Sequence, residues 1–133
     1  MAQAAWYGEC VERALPRLLS LLDRNPASPT YGCFDRSYWL HRKTDFPSST
    51  AQLSMRTLAL LYASPASSLY RKPAVREWSL AAMDFLLRQQ HGDGSFDEWY
   101  PNERGWAGPT GYLAHALVET LEALKGEVPS GLE

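Results

Sequence analysis

Apolar residues recur at helical spacing in four stretches of this chain, and this periodicity constrains the fold more than any other sequence feature. The four stretches are residues 3–23, 49–63, 73–90 and 110–125. In each of them the apolar side chains form a stripe at helical spacing, and the charged side chains take the remainder, which is narrow in the third and fourth stretches. The pattern predicts an all-α fold of two antiparallel helical hairpins, in a single domain that spans residues 1–133.

Local signals refine these four helices. Pro16 lies inside the first pattern, where a proline removes a backbone donor and predicts a kink or a split. Ser49 and Gln52 have the spacing of a capping box at the start of the second helix. Pro73 fits the first position of the third helix, and Thr110 fits a cap for the fourth.

Composition limits the classes of function. The net charge is −2 and no long basic run occurs, so nucleic acid is not the expected partner. No apolar run approaches the roughly 18 residues of a membrane span, so a membrane partner is not expected either. The start at Met1-Ala2-Gln3 lacks the basic region of a signal peptide, which makes a cytoplasmic location the default. Cys10 and Cys33 are too few for a disulfide framework or a metal site, and no cofactor is expected.

Two long connections hold most of the aromatic and charged loop residues. They are residues 26–47, the first long loop, and residues 91–109, the second long loop. Successive helices alternate in direction, so both long loops should emerge at one end of the bundle and the polar connection 64–72 at the other. The sequence therefore predicts a rim or cleft built from both long loops.

The side chains of these loops suit a ligand rich in hydroxyl groups. Aromatic faces stack against the C–H faces of sugars, and charged side chains bond the hydroxyls. The stacking candidates are Trp39, Trp99, Tyr100 and Trp106. The polar candidates are Asp35, Arg36, Asp97, Glu98 and Arg104. The alternative is that these aromatics are the loops' own packing and that ion pairs tie one loop to the other.

Two motifs also carry a family resemblance. The segment Gln90-x-x-Asp93-Gly94-Ser95-Phe96 is similar to the turn that joins helices in α/α toroids, as in terpenoid cyclases and prenyltransferases. Two longer blocks resemble the N-terminal region of bacterial heparinase II/III-type proteins, namely Gly32-Cys33-Phe34-Asp35-Arg36-Ser37-Tyr38-Trp39 with Asp45-Phe46-Pro47-Ser48, and Gln90-His91 through Asp97-Glu98-Trp99-Tyr100-Pro101. This resemblance implies that residues 1–133 form the N-terminal part of a larger toroid.

The heparinase resemblance implies an acidic polysaccharide as ligand, because such lyases cleave uronic acid polymers by β-elimination. That reaction needs a group to neutralise the substrate carboxylate and a base, typically Tyr or His. Tyr38 and His41 are the weak catalytic candidates, with Arg36 and Arg104 as cations. None of them matches the family's catalytic set residue by residue. In such proteins the catalytic groups are spread over several more hairpins, so two hairpins alone are not expected to form a complete active site.

Other functions stay open at this point. A glycoside hydrolase would use two carboxylates across the scissile bond, here Asp35 or Asp45 with Asp97 or Glu98. The magnesium motif of terpenoid cyclases is not found, and His91 and His115 are interpreted as loop structure and as a solvated helix residue. The third and fourth helices are apolar around most of their girth. This predicts a non-catalytic all-α interaction module, covered by further domains of the same protein or by self-association.

Overall fold

The computed structural model describes the backbone of residues 2–131 and the side chains of residues 8–131. Its elements are α1 (Ala2–Leu21), α2 (Arg36–Trp39), a 3-10 turn (Ser49–Leu53), α3 (Ser54–Ala63), α4 (Pro73–Arg88) and α5 (Ala107–Ala123). No strand occurs within residues 2–131, so the predicted all-α class is confirmed. The four long helices match the four periodic stretches, and α2 is a single turn inside the first long loop.

The signals at helix ends give mixed results. Pro73 occupies the start of α4 as predicted, whereas α1 continues through Pro16 as one helix. α5 begins at Ala107, before the predicted cap. The hydroxyl of Thr110 donates to the carbonyl oxygen of Trp106 at 2.8 Å, within the first turn of the helix. The prediction of Thr110 as a cap is therefore wrong.

The predicted capping box at Ser49 and Gln52 is also wrong, because Gln52 points into the core. Only 1% of Gln52 is exposed. Its Oε1 atom accepts a hydrogen bond from the backbone N–H of Phe34 at 2.6 Å. Its Nε2 atom donates to the carbonyl oxygens of Gly32 and Ala82, each at 3.0 Å. One buried amide thus joins the first long loop to α4, instead of closing the first turn of its own helix.

The hydrophobic core lies around α3, which packs against both α4 and α5. Met55, Leu58 and Ala59 of α3 are fully buried, as are residues of the two neighbouring helices, Ala82, Met83, Leu86, Leu113 and Ala116. Each long loop adds one phenylalanine to this cluster, Phe34 and Phe96. Burying such a ring contributes roughly 1.5–3 kcal/mol, so each loop is held to the core beneath it.

Contacts between elements show that the helices alternate in direction. Trp39 bonds the last residue of α1, and the backbone N–H of Ser49 donates to the carbonyl oxygen of Asp97 at 2.9 Å. The two long loops therefore meet at one end of the bundle, as predicted. At the opposite end Glu127, which follows α5, contacts Arg71 in the connection 64–72. No helix within residues 2–131 is both long and apolar enough to cross a bilayer.

Candidate functional site at the long-loop end

Asp35 organises the first long loop through its carboxylate. Its Oδ1 atom caps α2 by accepting hydrogen bonds from the backbone N–H groups of Ser37 (3.0 Å) and Tyr38 (3.3 Å). Its Oδ2 atom accepts from the backbone N–H of Ser48 at 2.9 Å. Such a cap stabilises the helix by about 1 kcal/mol. Both oxygens of this predicted polar candidate are therefore engaged with the loop's own backbone.

The other candidates of the first long loop divide into anchored and exposed residues. Trp39 is half-buried, and its Nε1 atom donates to the carbonyl oxygen of Leu21 at 2.8 Å. Tyr38 is half-buried beside it, and His41 is exposed. Arg36 is half-buried, and its Nε atom has no hydrogen-bond partner among the described residues. For Trp39 the structure favours the alternative in which the ring packs the loop.

Carboxylates also organise the second long loop. The Oδ1 atom of Asp97 contacts the Nε2 atom of His91 at 2.7 Å and accepts from the backbone N–H of Glu103 at 2.8 Å. The Oε2 atom of Glu103 in turn accepts from the backbone N–H groups of Glu98 and, at 2.8 Å, of Trp99. His91 is therefore part of the loop structure, as the sequence indicated.

These contacts set the charge state of Asp97. Burial alone would raise the pKa of Asp97. The hydrogen bonds from His91 and from the backbone N–H groups of Asn102 and Glu103 outweigh burial, so the pKa lies below its usual value. Asp93, at the preceding turn, accepts from the N–H and hydroxyl of Ser95, which together lower its pKa, and nearby Arg104 adds to this effect.

The aromatic residues of the second long loop remain accessible on top of this hydrogen-bonded frame. Trp99 is 68% exposed, Tyr100 is 72% exposed and Trp106 is 39% exposed. By contrast, Phe96 in the same loop is 1% exposed. The loop is thus anchored by one inward ring, and its larger rings are not needed for packing. For Trp99 and Tyr100 the structure disfavours the packing alternative.

The backbone of Ser48 and Ser49 brings the two loops together. The N–H of Ser48 donates to the Asp35 carboxylate, and the N–H of Ser49 donates to the Asp97 carbonyl oxygen, both at 2.9 Å. Two predicted site residues from different loops therefore flank one short segment. Backbone donors bond both carboxylate oxygens of Asp35 and the Oδ1 atom of Asp97, so both side chains serve the structure of their loops.

A cavity between α3 and α5 adjoins this end, and the sequence did not indicate it. Its volume is about 350 Å³, and it is lined by Leu53, Ser54, Arg56, Thr57, Tyr112, His115 and Ala116. Burial, followed by a hydrogen bond with Glu98, raises the pKa of Tyr112 to about 12. Tyr112 thus connects the cavity to the second long loop. The i, i+3 spacing of Tyr112 and His115 was a usable signal, but their partner Arg56 lies on another helix.

A second cavity lies away from the long loops. Its volume is about 440 Å³, it is mostly apolar, and it separates α1 from α3. Val11 and Leu60 line it, with Ser67 of the 64–72 connection at the far end. Within residues 2–131, no group of three His, Cys, Asp or Glu side chains is placed to hold a metal ion.

Comparison with known proteins adds no relative. No family model matches the sequence, and neither the curated proteins nor the solved structures include a significant match.

Proposed function

We propose that this chain is an N-terminal α/α-toroid segment of a heparinase II/III-like polysaccharide lyase, or of a related carbohydrate-active protein. In this proposal its long-loop end binds an acidic oligosaccharide. The observation that carries the proposal is the exposure of Trp99 and Tyr100 on a loop whose backbone is tied by the carboxylates of Asp97 and Glu103. Rings presented from a fixed frame lose little conformational freedom when they stack on a ligand.

The first long loop supplies the cations for an acidic ligand, whereas the second carries Asp93, Asp97, Glu98 and Glu103 against Arg104. The first long loop exposes Arg42 and Lys43, next to His41, with Asp45 as a nearby exposed acid. The carboxylates of Asp35 and Asp97 bond backbone N–H groups, so much of their charge is locally compensated. Arg36 adds a further, half-buried guanidinium. In this proposal the ligand stacks on the second long loop, and its acid groups pair with the cations of the first long loop.

Substitution of the exposed rings tests this proposal. We expect Trp99→Ala to weaken the binding of a uronic acid oligosaccharide at least tenfold, or about 1.4 kcal/mol. A Trp ring that a bound ligand covers often supplies a large share of the binding free energy. Tyr100→Ala should have a smaller effect in the same direction. The measurement is isothermal titration calorimetry. The matched control is Tyr70→Ala, which removes an exposed ring from the opposite end of the bundle. Equal affinities of wild type and Trp99→Ala would contradict the proposal.

Catalysis is not assigned to this segment. Tyr38 and His41 stay weak candidates for a β-elimination base, with Tyr38 half-buried and His41 exposed. The toroid resemblance implies that further hairpins complete the site. The cytoplasmic location stays a prediction, which fractionation of the producing cells would test.

A second candidate function is a non-catalytic module that self-associates. The observation that favours it is the apolar cavity between α1 and α3, where Val11 is 36% exposed and Leu60 is 43% exposed. Sedimentation equilibrium tests this candidate. A concentration-dependent dimer that Leu60→Glu abolishes would favour it, and a monomer at all concentrations would exclude it.

A further inference from the structure

The cavity between α3 and α5 combines cationic and hydroxyl groups, and Tyr112 in its wall interacts with Glu98 of the second long loop. At about 350 Å³ it falls in the size range of small-molecule sites. α3 contributes Arg56 and Thr57 to its wall, and α5 contributes Tyr112 and His115. The acids near these groups are Glu119 on α5 and, at the side of the second long loop, Glu98 and Glu103.

Arg56 keeps unused donors in this cavity. Its Nε atom pairs with the Oε2 atom of Glu119, and its side chain remains 44% exposed. A guanidinium carries five N–H donors, and its two terminal nitrogens form a fork that matches an oxyanion. Among the described residues, no hydrogen bond engages that fork. The Nδ1 atom of His115 lies 3.1 Å from the same Glu119 oxygen, which orients the imidazole along the cavity wall.

Tyr112 adds a hydroxyl at the side of the second long loop. Burial and a hydrogen bond with the Glu98 carboxylate raise the pKa of Tyr112, so an acidic ligand competes with Glu98 for the phenol O–H. Glu98 directly precedes Trp99, whose ring is exposed. Tyr112 in the cavity wall therefore lies beside the residue that precedes the exposed ring.

We infer that the cavity between α3 and α5 is a subsite for the acid group of the sugar ligand, a carboxylate or a sulfate, held by Arg56 and Tyr112. This inference rests on the proposed carbohydrate-binding function and adds a second contact area to it. Glu119 and Glu98 act as internal competitors, because their carboxylates engage the guanidinium of Arg56 and the hydroxyl of Tyr112. Neutral sugars would use the aromatic surface alone.

Three substitutions test the subsite, namely Arg56→Gln, Tyr112→Phe and Glu119→Gln. The binding of each variant is measured by calorimetry with three ligands of equal length. The ligands are a uronic acid oligosaccharide, a sulfated oligosaccharide and their neutral parent. Arg56→Gln should weaken the binding of at least one acidic ligand about tenfold or more, since it removes a charged hydrogen bond. Tyr112→Phe should weaken the same ligand severalfold, and neither change should affect the neutral one. The acidic ligand that responds identifies the group as carboxylate or sulfate.

Glu119→Gln separates a binding role from a structural one. Arg56→Gln and Glu119→Gln both break the same ion pair, so a structural effect would weaken binding in both variants. Release of Arg56 from its competitor should instead tighten acidic-ligand binding in Glu119→Gln. The control is Arg88→Gln, which breaks a comparable exposed pair with Asp84 on α4. Thermal unfolding of each variant checks that the fold is retained.

The outcomes distinguish this inference from the proposed function. If Trp99→Ala abolishes binding while Arg56→Gln changes nothing, the aromatic surface stands and the subsite is overturned. If Arg56→Gln weakens acidic ligands while Trp99→Ala does not, the subsite stands and the aromatic surface is overturned. Absence of binding by the wild type to all three ligands overturns both.

Discussion

The two long loops share one end of the molecule and a similar mixture of acids and aromatics, yet they use those residues in opposite ways. The first long loop turns its aromatic residues toward the bundle, with Phe34 in the core and Trp39 bonded to the end of α1. The second long loop buries only Phe96 among its large rings and exposes Trp99 and Tyr100. Composition alone therefore does not decide which of two loops can bind a ligand.

The difference follows from where each loop finds partners for its backbone. The first long loop depends on Gln52, which reaches across from the 3-10 turn, and on close contact between Gly32 and α4. The second satisfies much of its backbone with its own carboxylates, Asp97 and Glu103. A loop that closes on itself does not need its largest rings for packing. Those rings stay exposed, and for this reason the proposed stacking surface lies on the second loop.

The strongest way to sharpen this comparison is to add one methyl group to each loop. A Cβ atom at Gly32 would lie 2.2 Å from the carbonyl oxygen of Ala81, and φ is +91°. We expect Gly32→Ala to lower the free energy of unfolding by about 4 kcal/mol or more, because the backbone at Ala81 would have to move. At Gly94 φ is +86° but the nearest atom is 3.9 Å away, so Gly94→Ala should cost only about 1–2 kcal/mol. Urea unfolding measures both, and equal losses would break the comparison.

The glutamines give a second matched pair with a somewhat smaller effect. Gln52→Leu leaves the N–H of Phe34 and the carbonyl oxygens of Gly32 and Ala82 without their partner, at a cost of about 2–4 kcal/mol. Gln90 is exposed and bonds only the carbonyl oxygen of Gly94 among the described residues. Gln90→Leu should therefore change the free energy of unfolding by less than about 0.5 kcal/mol. A large effect at Gln90 would show that the second loop is not self-supporting.

The smallest effect concerns the carboxylate that holds the second long loop. Because the folded-state pKa of Asp97 is lowered, its contribution to stability is complete above its unfolded pKa, about 3.9. That contribution is lost as the pH falls through the folded value. Asp97→Asn should cost about 1–2 kcal/mol at neutral pH and make stability less dependent on pH below about 4. The matched change Asp84→Asn removes an exposed carboxylate of α4 and should cost less than about 0.5 kcal/mol. Equal acid slopes for wild type and Asp97→Asn would contradict this assignment.

The sequence was sufficient for the helices and for the meeting of the loops, since both depend on local periodicity and chain direction. It misassigned Gln52, because a capping box and a core amide have the same spacing, and only the fold shows which backbone groups need a partner. It identified Trp39 and Trp99 as equivalent candidates, although one ring is anchored and the other is exposed. The cavity beside Tyr112 escaped prediction because Arg56 approaches from a different helix, and such proximity arises only on packing.

The hydrogen bond between Ser49 and Asp97 makes the long-loop end depend on both helical hairpins. Its partners lie in different helical hairpins, so neither hairpin alone can form it. A fragment containing only the second hairpin would carry Trp99 and Tyr100 but would lack the segment at Ser49 that holds the second long loop against the first.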